Sequence, residues 1–217
     1  MLSGTFHASA MTARGPAMVT ESALTTSSPT RNSDDGRAAA ATLFMLGLPG
    51  GAYLYQGEEL GLPDSSDIPG NMRQDPTFAR TGGTRIGRDG CRVPLPWRSS
   101  EPHSGFGSGL DPWLPQPESW PALARDKQEV DPASHLNLYR RMLDLRATNR
   151  LGEGSLAWVE DYCSDTSLAY LNGNILVIIN VGPEAMPLPA GETVLRSSAA
   201  EATDLLGSGE TIWLTAS

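Results

Sequence analysis

Between residues 34 and 61 the hydrophobic pattern switches from a helical period to a short apolar run, and this junction limits the fold more than any other stretch of the chain. Asp34-Asp35-Gly36 precedes Arg37–Leu48, RAAAATLFMLGL. Acidic residues there cap and complement a helix N-terminus. Four alanines and then Leu43, Phe44, Met45 and Leu46 make a helix that is apolar nearly all round, which predicts burial on several sides. Gly47, Pro49, Gly50 and Gly51 stop it. Ala52–Tyr55 follows as a short apolar run with two aromatics, long enough for a buried strand. It leads into the polar Gln56-Gly57-Glu58-Glu59-Leu60-Gly61. Helix, tight turn, buried strand and polar loop form the repeating unit of a parallel α/β fold.

The rest of the chain divides around that unit. Residues 1–35, rich in Ala, Ser and Thr, read as a poorly ordered leader. Residues 61–130 carry no periodic element. Their three tryptophans, Trp97, Trp113 and Trp120, need packing partners, so a lid or insertion over a site is expected. Asp131 as N-cap and Pro132 at the first helical position start a second helix. It carries Leu136, Tyr139, Met142, Leu143 and Leu145 at helical spacing and ends near Asn149. From there the pattern turns to β. Leu168–Leu171 and Ile175–Val181 flank an Asn172-Gly173 hairpin signal, and 156–159, 193–195 and 212–214 add short strands. The expected domains are a leader (1–35), an α/β part with a long loop (36–149) and a small antiparallel β-sandwich (150–217).

Charge and motifs exclude several functions. With 16 basic against 25 acidic residues the net charge is -9, which disfavours phosphate backbones and anionic membranes. No stretch approaches the length of a membrane span, and residues 1–20 do not read as a secretory signal, so a cytoplasmic location is expected. Cys91 and Cys163 are then reduced thiols, and no Cys/His cluster marks a metal. The Gly105-Phe106-Gly107-Ser108-Gly109 run follows no strand and opens no helix, so no nucleotide or other cofactor is expected. His7, His103 and His135 have no acid or nucleophile at a telling spacing and read as surface residues.

Two clusters remain. Glu58-Glu59 stands where ligands bind in parallel-strand folds, beyond a strand's C-terminal end. The pair serves there either as an acid or base or as a loop support bonded to backbone N–H groups. Gly87-Arg88-Asp89-Gly90-Cys91-Arg92 sets two arginines and an aspartate around a turn. Either an arginine fork grips vicinal hydroxyls or a carboxylate, or an internal Arg–Asp bridge pins the loop.

At these residues the sequence resembles a known family. AAATLFMLGLPGGAYLYQGEELGLP (38–63), QDPTFARTG (74–82), GRDGCRVPLPW (87–97), PWLPQP (112–117) and QEVDPASHLNLYRRMLDLR (128–146) are similar to the C-terminal part of bacterial α-glucosidases. Those enzymes belong to the α-amylase-type glycoside hydrolases, family thirteen. The resemblance spans residues 36–217 and implies the last helix–strand–helix of a (β/α)₈ TIM barrel followed by a small antiparallel β domain. It implies that Arg88 helps form the pocket for a terminal glucose. Glu58, Glu59, Asp89 and Arg92 line or support that site. It implies an α-linked oligosaccharide or disaccharide as substrate. It also implies a retaining mechanism whose nucleophile and acid carboxylates stand on earlier barrel strands than any here, so no catalytic residue is assigned. No His-Asp pair supplies the family's second aspartate. A complete barrel takes about 250 residues. The expectation is therefore a truncated glycosidase inactive alone. The alternatives are a carbohydrate-binding or structural remnant, or one subunit of a split enzyme partnered by a polypeptide carrying the missing strands.

Overall fold

A computed structural model describes residues 31–107, 111–198 and 204–216. Its helices are α1 (Arg31–Leu46), α2 (Pro76–Arg80), α3 (Arg125–Glu129) and α4 (His135–Thr148). Its strands are β1 (Leu156–Trp158), β2 (Ser167–Asn172), β3 (Ile175–Asn180), β4 (Met186–Pro187), β5 (Thr193–Arg196), β6 (Leu205–Leu206) and β7 (Glu210–Thr215). One antiparallel sheet runs β1-β2-β3-β7-β5, and β4 pairs with β6 in a separate ribbon.

Both faces of the large sheet are covered. Tyr170, Ile175, Val177, Leu195 and Trp213 face α1 and α4, where they pack on Ala39, Leu43, Leu46, Tyr139 and Met142. Their neighbours Ala169, Ile178, Ile212 and Leu214 point the other way, into a second cluster with Leu206. Alternation of side chains with both faces buried explains the unbroken apolar run of β3, ILVII.

The sheet also bonds to the carbonyls of α1. Thr211 Oγ1 donates to Ala40 O at 2.8 Å, Trp213 Nε1 to Leu43 O at 3.0 Å and Asn172 Nδ2 to Gly47 O at 2.8 Å; Tyr170 Oη donates to Phe44 O. These acceptors recur at helical spacing, so one stripe of α1 is both apolar and hydrogen-bonded to the sheet. Gly47 permits the approach: a Cβ there would lie 2.5 Å from the Tyr170 hydroxyl.

The structure corrects four expectations. Residues 31–35 lie in α1 rather than in a leader; residues 1–30, and His7 with them, fall outside the described residues. Ala52–Tyr55 is not a strand: it has no regular structure, with Tyr53 78% and Tyr55 42% exposed. A strand needs a ladder partner for its N–H and C=O groups, and no described strand pairs with this segment. The second helix starts at His135, capped by Ser134 Oγ on Asn137 N–H at 3.2 Å. Asp131 instead closes its own turn on Ala133 N–H, at 2.9 Å. The hairpin loop is Gly173-Asn174, one residue later than expected, because Asn172 pairs with Ile175 and its amide is drawn inward to Gly47 O and Leu151 O.

Residues 61–130 form short turns, α2 and α3 around a small core of their own, Ile68, Val93, Leu114 and Trp120. Trp120 is buried as expected. Trp97 and Trp113 stay over two-fifths exposed, Trp97 beneath the Arg125 guanidinium.

Candidate functional site

The loop that carries Arg88 is held by two carboxylates: Asp89 takes the backbone N–H of Asp75, and Asp75 takes the backbone N–H of Arg88. Asp89 opens a one-turn helix, Asp89–Arg92, and is fully buried. Its carboxylate accepts from Gln74 N–H at 3.0 Å and from Asp75 N–H at 3.0 and 3.1 Å. Asp75 is 8% exposed and caps α2, with Oδ1 accepting from Thr77 N–H at 2.8 Å. Its Oδ2 accepts from Arg88 N–H at 3.0 Å and from Arg92 Nη1 at 3.2 Å. The Thr77 bonds foremost, then the Arg88 N–H and the Arg92 charge, bring the Asp75 carboxyl down to about 2. Gly87 makes the approach possible. Its φ is +73°, and a Cβ there would lie 2.7 Å from the Asp75 Cβ.

Tyr55 closes the loop from the other side. Burial and the Cys91 thiol raise its hydroxyl pKa, while a hydrogen bond to Arg92 opposes them. Partial burial works against the Arg92 charge, but Tyr55 and Asp75 outweigh it and raise its pKa. Cys91 Sγ donates to Arg88 O at 3.2 Å. The bridge of this turn thus runs to a residue outside it. Arg92 bridges to Asp75, and Asp89 takes backbone N–H groups. Arg88 keeps its side chain on an exposed surface.

Glu58 and Glu59 lie in a one-turn 3₁₀ helix, Glu58–Leu60, rather than at the end of a strand. Glu59 Oε2 accepts from Gly57 N–H at 2.8 Å, the support role weighed for it. Glu58 is half-buried, and that burial raises its carboxyl pKa, with a backbone hydrogen bond at Tyr55 opposing and the Glu59 charge adding.

The structure thus gathers Arg88, Asp89 and Arg92, and adds Tyr55 and Asp75. Asp75 was readable in the sequence: Asp-Pro-Thr is an N-cap followed by a first-turn proline. Two open clefts lie elsewhere. One, of about 500 Å³, is lined by Met72, His103, Asp111 and Gln116 among others; the second, of about 370 Å³, runs along 63–68. Neither includes the predicted site residues. In the first, His103 Nε2 stands 3.4 Å from Asp111 Oδ1, a partner that its sequence spacing did not suggest. His135 stacks on Tyr139 at 4.9 Å. Among the described residues no group of His, Cys, Asp and Glu has the arrangement of a metal site, and no helix is long and apolar enough to cross a membrane.

Comparison with known proteins gives this geometry its family. The alpha-amylase catalytic domain matches residues 21–154, more than half of the chain. The "Probable alpha-glucosidase" of Rhizobium meliloti (strain 1021) is 36% identical over 154 residues, covering 70% of this chain and 27% of that protein. "Maltase 1" of Drosophila virilis is 33% identical over 123 residues, 55% of this chain and 19% of that one. Among solved structures, the alpha-glucosyl transfer enzyme XgtA superposes with a TM-score of 0.70 at 29% identity, over 84% of this chain and 36% of its own. The trehalulose synthase MutB of Pseudomonas mesoacidophila MX-45 shares the fold at a TM-score of 0.70 and 21% identity, over 83% of this chain and 38% of its own. The chain spans about a quarter of the length of the first curated relative it matches, and its fold is the corresponding part of a TIM-barrel glycosidase with its small antiparallel β domain. It belongs to the alpha-amylase family of glycoside hydrolases.

Proposed function

We propose that this chain forms the C-terminal wall of a retaining α-glucosidase site, that Arg88 grips the hydroxyls of a terminal α-linked glucose there, and that the 217-residue chain alone hydrolyses no α-glucoside. The carrying observation is the division of labour in Arg88-Asp89-Gly90-Cys91-Arg92. Asp89 and Arg92 are committed to holding the loop, while Arg88 is exposed on it. A planar guanidinium fork suits a pair of vicinal hydroxyls. A retaining mechanism needs two carboxyls about 5–5.5 Å apart across the bond, one of them a nucleophile. Asp75, Asp89 and Glu59 instead accept backbone N–H groups and act as struts. Glu58 and Glu59 support the turn beside the pocket.

That no described strand pairs with Ala52–Tyr55 favours a second reading, in which a separate polypeptide carrying earlier barrel strands completes the site. The test is turnover of a chromogenic α-glucoside by the purified chain at high concentration. It is then repeated with added polypeptide, made from the part of the Rhizobium meliloti relative that precedes the matched region. No turnover alone is expected, and turnover in the mixture favours the split enzyme. Activity of the chain alone that survives purification and disappears in Glu58→Gln would overturn the reading.

A further inference from the structure

We infer that Asp75 is a positioning residue for Arg88, acting with Asp89 as a reciprocal clasp that aims the Arg88 side chain at its sugar; this rests on the glucose-pocket reading of Arg88. The two carboxylates are wired crosswise. Asp89 holds the backbone N–H of Asp75, and Asp75 holds the backbone N–H of Arg88, the residue before Asp89. Each carboxylate is therefore fixed by the segment that it fixes. Both are removed from solvent, at 8% and 0% exposure, so the bonds are shielded from competing water.

The consequence falls on Arg88. Its N–H is tied to Asp75 on one side, and the next side chain in sequence is buried on the other, so the direction of its Cα–Cβ bond is set before any ligand arrives. Gly87 lets the chain pass this close to Asp75, since a Cβ there would strike the Asp75 side chain. Arg92 adds a counter-charge to Asp75 at Oδ2, the oxygen that also accepts the Arg88 N–H. An arginine fork must meet two hydroxyls at once, and a pre-set stem reduces the backbone freedom lost on binding. Asp75 touches no substrate in this scheme.

The test is hydrogen–deuterium exchange with mass-spectrometric readout on the full chain, with and without excess methyl α-glucoside. The variants are Asp75→Ala, Asp75→Asn, Asp89→Ala and the double alanine. In Asp75→Ala, exchange in peptides covering 84–93 should rise about tenfold or more. In Asp89→Ala the same rise should appear across 73–77. The double variant should be no looser than the looser single, because the two acids act as one unit. Exchange in the 167–180 hairpin should not change. The glucoside should slow exchange at 84–93 in the wild type and not in Asp75→Ala. Asp75→Asn, which keeps an acceptor oxygen without the charge, should recover part of that protection. Unchanged exchange at 84–93 in Asp75→Ala, loosening that extends to the hairpin, additive single variants, or full glucoside protection in Asp75→Ala would each overturn the inference. A wild type that the glucoside does not protect, in which Asp75→Ala still frees 84–93, would remove the sugar role of Arg88 and leave Asp75 a loop clasp only.

Discussion

Removing Arg146 should cost this fold more than any other single substitution on the exposed side of α4. The guanidinium leaves α4 and caps the far end of α1: Nη1 donates to Leu46 O at 2.5 Å and Leu48 O at 2.6 Å, and Nη2 to Gly50 O at 2.5 Å. The last carbonyls of a helix have no partner within it, and a cation there also meets the negative end of the helix dipole. Burial lowers the Arg146 pKa, with Tyr170 opposing, yet an arginine remains charged across the usable pH range. A hydrogen bond from a charged donor contributes about 1.5–3 kcal/mol. Three share one half-buried group here, and water replaces part of the loss, so Arg146→Ala should cost about 3 kcal/mol. With a urea m-value of about 2 kcal/mol/M, that lowers the unfolding midpoint by about 1.5 M. At about 2–4 °C per kcal/mol for a chain of this size, it lowers Tm by about 6–12 °C. Arg146→Lys delivers one donor direction in place of a fork and should recover roughly a third. The assay is urea unfolding followed by tryptophan fluorescence, with the m-value checked for each variant. A midpoint for Arg146→Ala within about 0.3 M of the wild type, at unchanged m, would refute the capping argument.

Three further outcomes follow from the same structure. Asp75 has its carboxyl held at about 2 against an ordinary 3.8, so its contribution is present above 3.8 and lost as pH falls from there toward 2. Asp75→Asn should be less stable than wild type at pH 6, with the gap closing near pH 2; a gap independent of pH would contradict this. Glu58 has the opposite sign: burial raises its pKa, so its charge opposes folding at neutral pH. Glu58→Gln should melt slightly above the wild type at pH 7, with the difference shrinking as pH is lowered through the carboxylate range; a lower melt at pH 7 would show that the charge has a stabilising partner. Trp213 is fully buried and its indole N–H bonds Leu43 O at 3.0 Å. Trp213→Phe should therefore cost about 2–4 kcal/mol in urea unfolding, through lost volume and a lost hydrogen bond, and a cost below about 1 kcal/mol would mean the core refills the space.

What could be read from the sequence, and what could not, separates along one physical line. Features that a segment settles by itself were visible: the apolar run of α1, the paired strands β2 and β3, and the glycine-rich stop after Leu46. Features that need a second segment were not. Ala52–Tyr55 has a strand's composition, but a strand exists only with a partner, and the described residues place none beside it. Asn172-Gly173 has the composition of a turn, yet Asn172 serves Gly47 O, 125 positions away, and the loop shifts by one residue to allow it. The site follows the same rule. Arg88, Asp89 and Arg92 stand together in the sequence and seem equally able to bind a ligand. Only Asp75, brought in by α2 from 13 positions before Arg88, separates their roles. Asp75 takes Arg92 and the Arg88 N–H, and Asp89 takes the Asp75 N–H, while the Arg88 side chain is exposed. The sugar grip proposed for Arg88 therefore stands on a turn that Asp75 and Asp89 hold.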